Sequence, residues 1–180
     1  MVNDRFGKAD SALRLNKGYI RIPSGVYFSG DFTITVWVKL QTARHFARIV
    51  EFGNGAYADN IELSLKEATN YIHMKTWFKA NTKGFLDSST PLNLEQWTHV
   101  AAVLNGGKAK LYFNGIQVAT GSQYLPRNVT RSNNFIGKGN FPGDECADAT
   151  YDEIKVFDKA LDEYEIKDEA DIDEGLNDFF

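Results

Sequence analysis

The feature that most constrains the fold of this chain is a period-two alternation of apolar and polar residues. Between residues 32 and 40 every second side chain is apolar, at Phe32, Ile34, Val36, Val38 and Leu40. Successive side chains of a β-strand point to opposite faces, so the pattern predicts a strand with one face in a core. Similar alternation recurs at 60–66 and 71–79, and long helical periodicity is absent before the end of the chain. The sequence therefore predicts an all-β protein.

Turn signals separate these segments and indicate antiparallel pairing. Asn114 and Gly115 stand between two apolar stretches, and both residue types accept a positive φ. They predict a two-residue type I′ hairpin turn. Further strands are predicted at 97–104 and 151–157. Several short strands divided by turns favour an antiparallel sandwich of two sheets.

The end of the chain differs from the rest. Asp158 is expected to cap a short C-terminal helix that includes Leu161 and Tyr164. Residues 158–180 carry 2 basic and 10 acidic side chains, whereas the preceding residues carry 18 basic and 14 acidic ones. Such a density of acids predicts a solvated segment, so we expect a β-sandwich domain at 1–166 and an acidic tail or linker at 167–180.

Composition argues against several classes of protein. Lysine and arginine are scattered along the chain, and no zinc-finger or helix-turn-helix pattern is present, so nucleic-acid binding is not expected. No apolar run approaches the about 18 residues needed to cross a bilayer, so direct membrane insertion is not expected either. Cys146 is the single cysteine, which rules out an internal disulfide and a site built from several thiolates.

Four stretches of the sequence together resemble a known family. They are FGKADSALRL at 6–15, GDFTITVWVKL at 30–40, QWTHVAAVLNGGKAKLYFNG at 96–115, and the segment from FIGKGN to YDEIKVFDKALDEYEI at 135–166. In order and spacing they are similar to laminin G-like jelly-roll domains of the concanavalin A-like lectin and glucanase superfamily. The resemblance implies two antiparallel sheets packed face to face. It also implies an extracellular module for glycans, proteins or lipids, and many such modules bind Ca²⁺.

The segments 60–66 and 71–79 offer a candidate ligand-binding face. If Ile72, Met74 and Phe78 face the core, the opposite face presents rings and hydrogen-bonding groups from both segments, namely Tyr71, His73, Lys75, Trp77, Asn60 and Glu62. Sugars stack their apolar C–H faces on aromatic rings and bond through their hydroxyl groups, so they suit such a face. The alternative is that a loop or a crossing strand covers Trp77 and Tyr71.

An acidic loop at 143–153 offers candidate calcium ligands. Asp144, Asp148 and Asp152 supply the hard oxygen atoms that Ca²⁺ binds. Asp152 shares its side of the predicted strand with apolar residues, and a carboxylate at the margin of a core needs a cation or hydrogen-bond donors. The alternative is a solvated loop in which Asp152 accepts hydrogen bonds from backbone N–H groups.

These observations leave three functions open. The first is a non-catalytic, lectin-like carbohydrate-binding module, stabilised by calcium if the loop binds the ion. The second is an extracellular protein-interaction or adhesion module of the same fold. In both cases we expect an extracellular or cell-surface module of a larger protein. The third is a glycoside hydrolase, because Glu169, Asp171 and Glu174 have the spacing of a laminarinase-type catalytic strand. That match lies in a stretch acidic enough to produce it by chance, so an enzyme is not predicted.

Overall fold

The computed structural model describes residues 1–79 and 82–171 of the chain. Over these residues it contains twelve β-strands and one short α-helix. The strands are β1 (Leu13–Gly18), β2 (Ile20–Ile22), β3 (Phe32–Thr42), β4 (Arg48–Gly53), β5 (Ile61–Leu65), β6 (Tyr71–Lys79), β7 (Thr82–Pro91), β8 (Trp97–Asn105), β9 (Lys108–Phe113), β10 (Ile116–Ser122), β11 (Asn133–Ile136) and β12 (Ala147–Phe157), and the helix is α1 (Glu163–Glu169). No helix among the described residues is long and apolar enough to cross a membrane.

The strands form two six-stranded sheets. The first sheet has the order β1-β12-β3-β8-β9-β10, and the second has the order β2-β11-β4-β5-β6-β7. Every pair of neighbouring strands is antiparallel. The turn between β9 and β10 has positive φ at both Asn114 and Gly115, as a type I′ turn requires. The predicted all-β, two-sheet antiparallel jelly-roll sandwich with a short C-terminal helix is therefore confirmed.

The core lies between the two sheets and is built from the alternating strands. The apolar positions of β3 from Phe32 to Leu40 are buried there, facing Ile61, Leu63 and Leu65 of the second sheet among others. Ile72 and Met74 of β6 are also in this core, as the alternation predicts. The prediction that Phe78 faces the core was wrong. This residue is 39% exposed and stacks on Tyr124. The register of β6 against β7 shifts between Trp77 and Lys79, so the alternation is interrupted at this end of the strand.

The helix packs on the outer face of the first sheet. Leu161 and Ile166 join Ala101, Val103 and Tyr112 in a small second apolar cluster. The N-cap is Asp162 and not Asp158, because the Asp162 side chain accepts hydrogen bonds from the N–H groups of Tyr164 and Glu165. Glu165 accepts one in return from the N–H of Asp162, which completes a capping box.

The tail expected at 167–180 is described only in its first residues. Residues 167–169 complete α1, and the side chain of Ala170 is buried. Glu169 therefore lies on a helix, where it forms an ion pair with Lys155 at 2.7 Å. Residues 172–180, including Glu174 of the hydrolase-like spacing, lie outside the described residues. The boundary at 166 and the acidic tail stay predictions.

Candidate functional site

The outer face of the second sheet brings most of the predicted ligand-binding residues together. On β5 and β6, Glu62 lies opposite Lys75, and Ser64 lies opposite His73. Glu51 of β4 lies opposite Glu62 on its other side. Because the strand period is two, these side chains point away from the core while Ile61, Leu63 and Met74 point into it. The sequence pattern thus identified this face correctly, but the structure shows that it is covered.

A buried ionic network centred on Arg48 forms the deep layer of this face. Its guanidinium contacts three carboxylates, with Nε 2.5 Å from Glu51 Oε2, Nη2 2.6 Å from Asp144 Oδ2 and Nη2 3.2 Å from Glu62 Oε2. Lys75 Nζ lies 3.5 Å from the same Glu62 oxygen. Glu51 and Glu62 have no exposed side-chain surface. Burial lowers the pKa of Arg48, but the three carboxylates more than reverse this effect, so its pKa is raised.

Amide groups complete the network and fix its geometry. Asn60, predicted to face a ligand, is buried and donates from Nδ2 to Glu51 Oε1 at 2.7 Å. Asn140 donates to the same oxygen from its backbone N–H at 3.1 Å and from Nδ2 at 2.8 Å. Burial raises the pKa of the Glu62 carboxyl; Arg48 opposes the rise and Glu51 adds to it. Asn60 and Glu62 are therefore not exposed ligand-binding groups, because they hold a rigid layer beneath the surface.

Trp77 is not the open platform that the alternation predicted. It shares a face with Lys75 as expected, but only 2% of it is exposed. The rings of Tyr57 and Phe141 cover it, with centroids 5.2 and 5.8 Å from the indole. The indole N–H donates to Glu62 Oε1 at 2.6 Å. The alternative of a covering loop is correct for this residue, because the loop at 137–146 folds over the sheet.

Two further predicted residues lie outside the site that surrounds Trp77. His73 is largely buried, its Nδ1 lies at hydrogen-bond distance from Asp87 Oδ1 (2.5 Å), and its ring stacks on Phe85. Burial lowers the pKa of His73, against the opposing effect of Asp87. Tyr71 begins β6, six residues before Trp77, which places it roughly 20 Å away along the strand. Neither residue lines the groove described next.

A groove of about 330 Å³ opens above the buried network, and we call it the aromatic groove. Its lining comes from the loops at 43–47, 54–60 and 137–146 and from β4, β6 and β7, and consists of His45, Phe46, Arg48, Tyr57, Lys75, Trp77, Lys83, Phe141, Pro142, Gly143 and Asp144. Tyr57 is the most open of its Phe, Tyr and Trp rings, with 50% of the residue exposed. Tyr57 packs edge-on against both Trp77 and Phe141, which holds the ring in place.

Sequence reasoning missed most of this lining. Phe46, Tyr57 and Phe141 lie in loops without periodicity, and the signal available was the presence of aromatic residues in polar loops. A larger hollow of about 550 Å³ lies beside α1, lined by Lys108, Tyr112 and Leu161 among others. Tyr112 in its wall is only 2% exposed, so that hollow offers a sugar no open ring from this residue. The aromatic groove is for that reason the better candidate site.

The predicted calcium ligands are not gathered into one site. Asp144 pairs with Arg48, Asp148 with Arg14, and Asp152 with Arg5 at 3.0 Å. Across the part of the chain that the structure describes, no group of three or more His, Cys, Asp or Glu side chains is arranged to hold a metal ion. The arginines supply the positive charge that the sequence argument assigned to calcium, so these residues do not fit a calcium site. Calcium binding is thus an untested expectation of the sequence, and these ion pairs argue against it.

Comparisons with known proteins agree with this architecture. The family described as the concanavalin A-like lectin/glucanases superfamily matches residues 15–167. No curated protein matches the chain significantly. Among solved structures, domain 4 of the extracellular GH43 arabinanase AbnA from Geobacillus stearothermophilus, in complex with arabinotriose, has a TM-score of 0.69 at 20% identity, covering 93% of this chain and 79% of that one.

Two other solved structures have the same fold. The CBM40 of the Ruminococcus gnavus IT-sialidase, bound to α2,3 sialyllactose, has a TM-score of 0.61 at 16% identity, covering 88% of this chain and 97% of that one. The binding domain of Paraclostridial Mosquitocidal Protein 1 has a TM-score of 0.66 at 18% identity, covering 88% of this chain but only 42% of the toxin domain. At these identities the similarity concerns the fold.

Proposed function

The chain belongs to the concanavalin A-like lectin/glucanase superfamily, and we propose that it is a non-catalytic binding module that holds a carbohydrate in the aromatic groove. The observation that carries the proposal is the combination of the half-exposed Tyr57 ring with Lys75, Arg48 and Asp144 in one groove. A sugar needs a ring for its apolar face and polar groups for its hydroxyls, and this groove supplies both. Small-molecule sites in general combine apolar surface with a few fixed polar groups.

Pre-organisation of the groove supports binding. Tyr57 is held edge-on by Trp77 and Phe141, and Trp77 is anchored in turn by its hydrogen bond to Glu62. The Arg48 network fixes Asp144 from below. A ligand therefore meets side chains that are already ordered, so little conformational entropy is lost when it binds.

The placement of the carboxylates supports a non-catalytic role. Glycoside hydrolysis generally needs two carboxyl groups that flank the scissile bond within about 5–10 Å of each other. Glu51 and Glu62 are neighbours on adjacent strands, but their side chains are fully buried beneath the groove. Asp144 is part of the lining, but its carboxylate forms an ion pair with Arg48. This arrangement favours holding a sugar over cleaving it.

The solved structures of the same fold support the class of ligand. Two of them were solved in complex with sugars, one with arabinotriose and one with α2,3 sialyllactose. One of these proteins is an extracellular arabinanase, and the matching region is one domain of it. An extracellular or cell-surface location within a larger protein, with a glycan as partner, is accordingly part of our proposal.

A second candidate function is protein recognition, and an exposed ring pair favours it. Phe78 and Tyr124 stack at 6.0 Å between centroids, and 39% and 44% of these residues are exposed. Leu125, next in the chain, is also exposed. An exposed apolar patch of this kind suits a protein partner better than a sugar, because it has few hydrogen-bonding groups.

Two matched tyrosine variants test the proposal. The wild-type chain is screened on a glycan array, and the best glycan is then titrated against Tyr57→Ala and Tyr124→Ala. We expect Tyr57→Ala to weaken binding by about 1–3 kcal/mol, if stacking of bases on aromatic rings is a fair guide. Tyr124→Ala is a control of similar exposure outside the groove and should bind like the wild type. Absence of glycan binding, or a loss confined to Tyr124→Ala, would contradict the proposal.

A further inference from the structure

Two lysine ammonium groups converge on the aromatic groove. Lys83 Nζ lies 4.7 Å from the centroid of the Trp77 ring, and Lys75 Nζ lies 5.9 Å from it. Lys75 Nζ is also 5.9 Å from the Phe141 ring and 6.0 Å from the Phe46 ring. Lys75 and Lys83 come from adjacent strands, with Lys83 directly opposite Trp77. The groove therefore presents two positive charges around one indole.

Negative charge within the protein compensates these lysines only in part. Lys75 lies 3.5 Å from Glu62 Oε2, and Arg48 shares that oxygen at 3.2 Å. Neither contact is a hydrogen bond, since Glu62 Oε2 is buried without a hydrogen-bond partner. Within residues 1–79 and 82–171, no carboxylate lies at ion-pair distance from Lys83.

The other charged groups of the lining, Arg48 and Asp144, are more buried than Lys83, which is exposed. Asp144 is the carboxylate in the lining, and its Oδ2 is 2.6 Å from Arg48. Arg48, Lys75 and Lys83 formally balance Glu51, Glu62 and Asp144, but Glu51 and Glu62 are fully buried and no carboxylate pairs with Lys83 among the described residues. What the groove offers an anion is therefore the exposed ammonium group of Lys83, with Lys75 beside the same indole, and an anion there would be attracted by both charges.

Resting on the proposed function, we propose that the preferred ligand is a sugar bearing an anionic group, a carboxylate or a sulfate. The anionic group would lie between Lys75 and Lys83, and the sugar ring would pack against Tyr57. Arrangement of opposite charges across an interface gives specificity and faster association more than it gives affinity. The inference therefore concerns the choice among sugars and not the existence of sugar binding.

The test compares three oligosaccharides that differ at one position. One ends in glucose, one in glucuronic acid and one in glucose sulfate, with the same linkages otherwise. Each is titrated calorimetrically into the wild-type chain at low salt and at about 0.5 M sodium chloride, where the Debye length is roughly 4 Å. Lys75→Gln and Lys83→Gln are titrated in the same way. Lys108→Gln, an exposed lysine of the first sheet, is the control.

We expect either anionic sugar to bind the wild type at least roughly fivefold more tightly than the neutral one at low salt, as two partly exposed ion pairs would give. High salt, Lys75→Gln and Lys83→Gln should each reduce this preference, and Lys108→Gln should not. The carboxylate and sulfate arms show which anion the lysines prefer. Equal binding of all three sugars would overturn the inference and leave the proposed function standing. Binding of none would overturn the inference, while the glycan array decides the proposed function separately. If Lys75→Gln unfolds, the exposed Lys83→Gln decides the inference.

Discussion

Replacement of Trp77 shows whether its ring stabilises the fold or contacts the ligand. In the structure Trp77 is 2% exposed, packs against Tyr57 and Phe141, and donates its indole N–H to Glu62. Trp77→Ala removes a buried ring and leaves a cavity, which costs about 3–5 kcal/mol of unfolding free energy. With a urea m-value of about 2 kcal/mol/M, that loss lowers the unfolding midpoint by roughly 1.5–2.5 M.

A second substitution measures the contribution of the hydrogen bond from Trp77 to Glu62 to the free energy of unfolding. Trp77→Phe keeps an aromatic ring but removes the donor, so it should cost about 1–3 kcal/mol, as for a bond to a charged or buried partner. A double-mutant cycle with Glu62→Ala, which removes the acceptor, should give a coupling energy of about 0.5–3 kcal/mol, because the two side chains are in contact.

Urea unfolding followed by tryptophan fluorescence and circular dichroism measures both effects. If Trp77→Ala costs less than about 1 kcal/mol, the ring is not buried as described and its role as an anchor is refuted. If the effects of the two substitutions on stability are additive, the hydrogen bond between Trp77 and Glu62 is refuted, but the burial of Trp77 is not. Weakened glycan binding by Trp77→Phe at unchanged stability would place the indole in direct contact with the ligand.

Three further predictions follow from individual contacts. Added calcium and a chelator should give the same melting temperature, because arginines already pair with the carboxylates of residues 143–153; a calcium-dependent rise would restore the predicted site. Burial, with Lys155 adding to it, lowers the pKa of His99 to about 4 from 6.5, so the stability that neutral His99 contributes is complete above pH 6.5 and lost as the pH falls towards 4. This loss is about 3 kcal/mol, and His99→Phe should flatten that part of the pH profile of unfolding; an unchanged slope would contradict it. Asp162→Ala should cost about 1 kcal/mol in thermal unfolding and Asp158→Ala almost nothing, since Asp162 caps α1; the reverse order would return the cap to Asp158.

The fold could be predicted because it follows from local rules. Alternation along β3 identifies its core face, and Asn114 with Gly115 identifies a hairpin turn, without knowledge of any distant residue. The same rule correctly placed Glu62, Lys75 and Trp77 on one face of the second sheet. These predictions depend on the period of a strand, which the sequence displays directly.

The site could be predicted only in part because it depends on loops. Periodicity tells which face a side chain shares but not what covers that face. Trp77 is covered by Tyr57 and Phe141, which are 20 and 64 positions away in the sequence, and no local pattern relates them. Likewise, Arg48 pairs with Asp144 only because the loop before β12 folds back over β4. The acidic stretch at 143–153 resembled a calcium loop in sequence, but its carboxylates form ion pairs with different arginines.

The capping residue of α1 shows a smaller limit of the same kind. Asp158 and Asp162 both precede apolar residues, and both residue types cap helices well. The structure selects Asp162 because Glu165 lies three positions later and completes the capping box, while the segment before it is held by Thr33. The capping-box pair at 162 and 165 is local and could have identified Asp162 from the sequence, whereas the contact of the preceding segment with Thr33 of β3 is remote in sequence.

The central claim is that a glycan binds in the aromatic groove, and mapping amide chemical shifts during a titration tests it most directly. The ¹H–¹⁵N spectrum of the labelled chain is recorded with increasing amounts of the best glycan from the array. The account predicts that the largest shifts fall on groove residues such as Phe46, Tyr57, Lys83 and Gly143. Shifts centred on the hollow beside α1, or on Phe78 and Tyr124, would contradict it.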